Sequence, residues 1–187
     1  MMKRLYLFLT SQDIETISFE RFFLEVFPDA KFFYQGTKEG YFESREDKVF
    51  ELNKKLASFH DMNIAVVAAH RNWPLETKLL HEAFGYFPNQ CVYLTDVLMK
   101  ELTFGNFSSI PLLSQEFRHV NKELMSTAGT FLRSGLNGLK TAEEENIHRN
   151  TFNYRLDRFI KVTGLDIRDY HNALLLELYF QLASNGR

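Results

Sequence analysis

Apolar residues recur along this chain in two rhythms, and the rhythm changes past its middle. From Lys3 to Thr10 a run rich in Leu, Tyr and Phe predicts a buried strand. Ile14, Ile17, Phe22, Phe23 and Val26 then supply the apolar face of a helix that Pro28 ends, with Ser11 or Asp13 placed to cap it. Ala30 to Gln35 and Gly40 to Ser44 read as strands joined by the hairpin loop Gly36-Thr37-Lys38-Glu39-Gly40. Glu46 to Phe59 reads as a helix whose buried stripe is Val49, Phe50, Leu52, Leu56 and Phe59. Ile64-Ala65-Val66-Val67-Ala68-Ala69 is a continuous apolar run suited to a sheet interior. Pro74 opens the next helix, which carries Leu75, Leu79, Leu80, Ala83 and Phe84. Cys91-Val92-Tyr93 is a short last strand, and Asp96 to Phe104 a short helix. The order β-α-β-β-α-β, with an extra helix and a final strand, predicts a split βαβ sheet with helices on one face.

Gly105-Asn106-Phe107-Ser108-Ser109-Ile110-Pro111 interrupts the pattern, and a domain boundary is expected there. Beyond it strand signals cease. Leu112 to His119, Asn121 to Arg133, Lys140 to Asn146, Arg149 to Thr163 and Tyr170 to Leu182 all read as helices. The fold class is therefore α+β: an N-terminal βαββαβ sheet domain over 1–108 and an all-α domain over 109–187.

Within that second half, Arg149 to Val162 is the segment with candidate chemistry. On a helical wheel Phe152, Leu156, Phe159, Ile160 and Thr163 share one side; Asn150, Tyr154, Asp157, Arg158 and Lys161 share the other. Gly164 is a stop signal, and Lys161 lies in the last turn, where a cation suits the helix dipole. Amides, a phenol and cations suit phosphates and base edges. The same pattern also describes an ordinary solvated helix face, so the flanking residues must decide.

Thr141-Ala142, Ile147-His148-Arg149-Asn150-Thr151, Tyr154-Arg155-Leu156 and Thr163-Gly164-Leu165-Asp166 closely resemble the C-terminal helix-turn-helix domain of PucR/CdaR-type regulators, bacterial transcription factors of purine catabolism and sugar-diacid use. The resemblance covers roughly residues 110–183, with Leu124 to Leu132 similar to the family's preceding helix. It implies a supporting helix at Lys140 to Asn146 and a recognition helix at Arg149 to Val162, with double-stranded DNA as partner. Asn150 and Tyr154 would reach base edges or sugar. Arg149 and Thr151 would hold phosphates near the helix N-terminus, and Arg158 and Lys161 would serve the flanking backbone. His148, Asn153 and Arg155 complete the expected DNA-binding set. Arg155 lies at the edge of the core face, and an ion pair with Asp166 or Asp169 is the competing reading. In the first half, Phe32 to Phe42 resembles the central hairpin of a GGDEF-like domain, which often precedes this helix-turn-helix in the family. The signature is degenerate: Thr37 follows Gly36, and Lys38 stands where an acidic metal ligand would be expected. Cyclase chemistry needs carboxylates there, so this domain reads as a scaffold or regulatory module.

Charge complicates the picture. The chain carries a formal net charge of -2, and from Ser109 onward ten Lys/Arg face nine Asp/Glu. Glu143-Glu144-Glu145 occupies the turn before the recognition helix, and Glu145 falls where a core Leu is common in the family. Carboxylates there would repel a phosphate backbone. The alternative is therefore a non-DNA-binding interaction or dimerisation protein with a vestigial helix-turn-helix. Leu174 to Leu182 is apolar around its circumference. It reads as a central helix, as a homodimer interface through Leu174, Leu175, Leu178, Tyr179 and Leu182, or as both.

Other chemistries find little foothold. One cysteine, Cys91, excludes an internal disulfide framework and a multi-Cys zinc site. His60, His70, His81, His119 and His171 lack metal-ligand spacing, and Trp73 beside Pro74 reads as a packing residue at a strand end. No Walker, dinucleotide or nucleophile-elbow motif is present. No catalytic residue, metal or cofactor is expected, and the chain does not read as an enzyme; an unidentified small-molecule effector is left open. No apolar run is long enough to cross a membrane, and Met1 to Leu9 reads as a first strand rather than a signal peptide, so a cytoplasmic location is expected.

Overall fold

Residues 4–59, 62–69 and 74–184 are described by a computed structural model, with side chains up to 182; His60, His70 and Trp73 lie outside the described residues. Five strands form one sheet in the order β2-β3-β1-β4-β5. They are β1 (Arg4–Thr10), β2 (Lys31–Tyr34), β3 (Glu39–Ser44), β4 (Ile64–Ala69) and β5 (Gln90–Tyr93). Four helices follow β1, β3, β4 and β5 in turn: α1 (Thr16–Leu24), α2 (Val49–Leu56), α3 (Pro74–Tyr86) and α4 (Leu94–Thr103). The central strand β1 pairs antiparallel with both β3 and β4, and β4 pairs parallel with β5.

Helices cover both faces of this sheet, where the sequence pattern suggested one. The reason lies in β1 and β4, which are apolar at odd and even positions alike. Tyr6 pairs with Ala68 and Phe8 with Val66 on one face. That face is closed by Phe19 and Phe23 of α1 and by Val49, Leu52 and Leu56 of α2. The register sets Leu5 opposite Ala69 and Leu7 opposite Val67 on the other face, where α3 packs on β1 and β4. Leu75, Leu79, Leu80 and Ala83 of α3 are buried there. A one-sided sheet would leave Leu5, Leu7 and Val67 in water, at about 1.5–3 kcal/mol for each large side chain.

Two residues of the expected buried stripes face solvent instead. Ile17 is exposed because α1 begins at Thr16, capped by the Glu15 carboxylate rather than by Ser11 or Asp13, and turns Phe19 and Phe23 to the sheet. Phe50 is exposed because Val49, Leu52 and Leu56 form the inward row of α2. The Lys54 ammonium lies 4.4 Å from the Phe50 ring centroid, a cation–π contact in place of burial. Asp13 instead accepts a 2.8 Å hydrogen bond from the Thr37 hydroxyl in the hairpin loop.

Residues Met1–Ser109 and Ile110–Arg187 form two compact units. The second holds α5 (Ile110–Phe117), α6 (Lys122–Arg133), α7 (Gly138–Glu144), α8 (Arg149–Thr163) and α9 (Tyr170–Ser184). Pro111 falls in the first turn of α5, where its missing N–H costs nothing. Helix α7 starts two residues before the expected Lys140, because the Asn137 side chain accepts from the Leu139 and Lys140 N–H groups. Between α8 and α9, Gly164 takes φ 76° and its N–H donates to the Ile160 carbonyl. The Thr163 hydroxyl donates to the Phe159 carbonyl and accepts from the Leu165 N–H. Asp166 then accepts from the Arg168 guanidinium at 2.7 Å and from the Arg168 N–H at 3.1 Å. Among the described residues no helix is long and apolar enough to cross a membrane.

Phe42 is fully buried, stacks on Tyr6 at 4.8 Å and touches Phe23, Phe27 and Phe32. Phe42→Ala should therefore destabilise the N-terminal unit by about 3–5 kcal/mol, read as a lower midpoint in urea unfolding. The Asp166 carboxyl offers a second check. Burial raises its pKa, but the side-chain and backbone hydrogen bonds from Arg168 outweigh that and hold it below the usual aspartate value. Its stabilising contribution is thus complete at neutral pH. It is lost as pH falls through the ordinary aspartate range toward the lower folded value. Thermal melts of wild type and Asp166→Asn should differ most near pH 7 and converge in acid; a gap independent of pH would refute the assignment.

Candidate nucleic-acid interface

Helix α8 is held on one side and open on the other. Phe152, Leu156, Phe159, Ile160 and Thr163 are buried, and Phe152 packs on Phe131 of α6 with ring centroids 5.3 Å apart. Helix α7 lies close against the start of α8, because a Cβ on Gly138 would come within 2.6 Å of the Phe152 ring. Only a residue without a side chain permits that approach. Thr141 is fully buried, and its hydroxyl bonds the Asn137 carbonyl at 2.7 Å and the Ser134 hydroxyl at 2.8 Å. The turn into α8 needs the left-handed conformation at Asn146, φ 52°, a geometry that asparagine tolerates. Its backbone groups are satisfied locally: the Asn146 N–H donates to Glu143 and the Ile147 N–H to Ala142.

His148 is the N-cap of α8. Its Nδ1 accepts from the Asn150 N–H at 3.2 Å, so the ring orders the first turn and remains exposed. Arg149, Asn150, Thr151, Asn153, Tyr154, Arg158 and Lys161 are all exposed, Tyr154 at 63%. Asn150, Tyr154, Arg158 and Lys161 recur every three or four residues and make one row of about 16 Å along the helix. Arg149 and Asn153 line a separate concavity of about 390 Å³ against the loop that opens α7. Among the described residues, no carboxylate pairs with Arg149 or Arg158. Asp157 stands exposed in the same outward face; it was legible on the wheel and carries an acceptor where the rest are mostly donors.

Arg155 goes elsewhere. Its side chain is four-fifths buried, and its guanidinium pairs with Glu145 at 3.2 Å and with Glu123 of α6, not with Asp166 or Asp169. Asp166 is taken by Arg168. The acidic turn is correspondingly muted. Glu145 is tied to Arg155 and to the Thr127 hydroxyl, Glu144 lies 3.9 Å from Lys140, and Glu143 is exposed. Sequence reasoning missed Glu123 and Thr127, which carry no local signal because they lie on α6, a helix earlier.

Helix α9 divides its leucines. Leu175 is 1% exposed and Leu176 fully buried, so Leu175 belongs to the core of the unit rather than to a surface. Leu174, Leu178 and Leu182 are half-buried and share one row. Tyr179, also half-buried, packs its ring on Phe117 of α5 at 4.6 Å.

Residues 124–182 match the PucR C-terminal helix-turn-helix domain. The chain is 36% identical over 101 residues to the Carbohydrate diacid regulator of Escherichia coli (strain K12), covering 50% of this chain and 26% of that protein. It is 39% identical over 67 residues to the uncharacterized protein YxkF of Bacillus subtilis (strain 168), covering 34% of this chain and 23% of that one. The chain thus spans about a quarter of the length of these relatives. The crystal structure of a regulator of polyketide synthase expression from Bifidobacterium adolescentis aligns with a TM-score of 0.49 at 19% identity, over 100% of this chain and 82% of that one. Residues 124–182 are thus identified as a PucR C-terminal helix-turn-helix domain.

Proposed function

We propose that this chain is a transcriptional regulator that reads duplex DNA by laying α8 in the major groove. The observation that carries the reading is the exposed row Asn150, Tyr154, Arg158 and Lys161 on the second helix of a helix-turn-helix. In this reading Asn150 meets a base edge, its amide matching the donor–acceptor pair of adenine. Tyr154 contacts a base or sugar. Arg149 and Thr151 hold phosphate beside the N-terminus of α8, with His148 and Asn153 at the margin. Arg158 and Lys161 serve the backbone farther along. Arg155 leaves the contacting set, since its donors are turned inward.

The row Leu174, Leu178 and Leu182 supports a homodimer through α9, which would present two recognition helices to a palindromic site. The N-terminal unit, with its GGDEF-like hairpin, serves as scaffold or regulatory module. The reading carries with it the cytoplasmic location of a protein that works on the chromosome. The rival reading, an interaction protein with a vestigial helix-turn-helix, rested on the acidic turn. With Glu145 paired to Arg155, the exposed Glu143 and Glu144 still support it.

Selection of genomic fragments by the purified protein should recover duplex DNA, with affinity that falls steeply as salt rises. Arg158→Ala with Lys161→Ala should weaken binding to every sequence and lower the slope of log affinity against log salt by about 2. Asn150→Ala should cost about 1–3 kcal/mol at the preferred site and little elsewhere. Absence of binding at low salt would overturn the proposal. For the dimer, Leu174→Glu with Leu178→Glu should reduce the mass seen by light scattering from two chains to one.

A further inference from the structure

We infer that Arg155 is a positioning residue: its guanidinium clamps α8 to α6 and to the turn after α7, and so sets the angle at which the recognition helix is presented. The inference rests on the reading of α8 as the DNA-reading helix. Nη1 of Arg155 donates to Glu145 Oε2 at 3.2 Å and to Thr127 Oγ1 at 3.3 Å, while Nη2 donates to Glu123. The Thr127 hydroxyl in turn donates to the same Glu145 Oε2 at 2.7 Å. One planar cation therefore joins three segments: α8 through its own backbone, α6 through Glu123 and Thr127, and the turn through Glu145.

Burial gives this junction its force. The Glu145 side chain is 13% exposed and that of Arg155 20%. A carboxylate so enclosed has little water to fall back on, and it depends on the guanidinium and the hydroxyl. Glu145 is also the C-cap of α7, the residue immediately before Asn146 and its left-handed φ of 52°. Holding Glu145 holds the corner between the two helices. The outward neighbours Thr151 and Arg158 are exposed, so α8 separates two arginine roles on adjacent turns. Arg158 faces out, and Arg155 directs its fork inward, where a phosphate cannot reach it without dismantling the junction.

The two roles predict opposite responses to substitution. Lysine keeps the charge but not the fork, and it cannot bridge Glu123 and Glu145 together. A phosphate contact would tolerate it; a clamp would not. Replacing both buried partners by apolar residues of similar length removes the stranded charge. Binding to the duplex that the wild type selects most strongly should be measured for wild type, Arg155→Lys, Arg155→Met, and Arg155→Met combined with Glu145→Leu. Each should be assayed at a temperature where its melting curve reports it folded. The expected result is a loss of at least about tenfold for Arg155→Lys and Arg155→Met. The double variant should recover to within about threefold, with an unchanged salt slope. A near-wild-type Arg155→Lys, or a double variant that stays weak with a slope lower by about 1, would overturn the inference and make Arg155 a phosphate ligand.

A DNA-free measurement separates this inference from the reading beneath it. Amide hydrogen exchange at residues 146–151 should quicken in Arg155→Lys and Arg155→Met and return to wild-type rates in the double variant. If the wild type binds no duplex, the DNA-reading proposal falls while this pattern still supports the clamp. If exchange at those amides is unaffected by either single variant, the clamp falls whatever the DNA result.

Discussion

A helix can hold a row of side chains outward only if it is gripped along its opposite side, and in the second unit that grip is on α8. Phe152 is the pivot. Its ring meets Phe131 of α6 and lies against Gly138 at the start of α7. Leu156, Phe159 and Ile160 continue the buried row. Each buried side chain contributes about 1.5–3 kcal/mol, enough together to fix the roll of α8 about its axis. Once the roll is fixed, Asn150, Tyr154, Arg158 and Lys161 must face out. The composition of the outward face follows from the packing of the inward one.

Charge tells a similar story of placement over number. The second half of the chain has nearly equal counts of cations and anions, which taken as a sum argues against a polyanionic partner. The sum conceals how the charges are arranged. Glu145, Glu123 and Asp166 are taken up by arginines inside the unit, while Arg149 and Arg158 stay at the surface of α8. At physiological ionic strength a charge is felt over about 8 Å. What a phosphate meets is therefore the local surface and not the total. Of the acidic turn, Glu145 is paired with Arg155, and Glu143 and Glu144 are exposed.

In the N-terminal unit the controlling fact is that β1 and β4 are apolar on both sides. That pattern calls for two covering layers, and α1 with α2 on one face and α3 on the other supply them. The aromatic residues gather on the first of these faces, where Tyr6, Phe23, Phe27 and Phe42 share one cluster. The exposed Ile17 and Phe50 show the limit of counting apolar residues. A helix has room for one inward row, and a residue a half-turn from it faces water whatever its hydropathy.

Much of the secondary structure was legible from the chain alone, because strands and helices impose different periods on the hydrophobic pattern and Pro74 and Gly164 mark helix ends by local chemistry. The split of α8 into a buried and an open side was legible for the same reason: Phe152, Leu156, Phe159 and Ile160 repeat at helical spacing. Motif residues such as Thr141, Thr163 and Leu165 stood out as a pattern, but their buried, bonding roles did not. What the chain could not reveal were relations between residues far apart in sequence. The partners of Arg155 lie on α6 and in the turn after α7, and Leu175 is buried while Leu174 beside it is not. Periodicity is a property of one segment and can be read in one dimension. Which carboxylate meets which guanidinium, and which side of a uniformly apolar helix is covered, depend on how segments pack, and only the tertiary structure decides that.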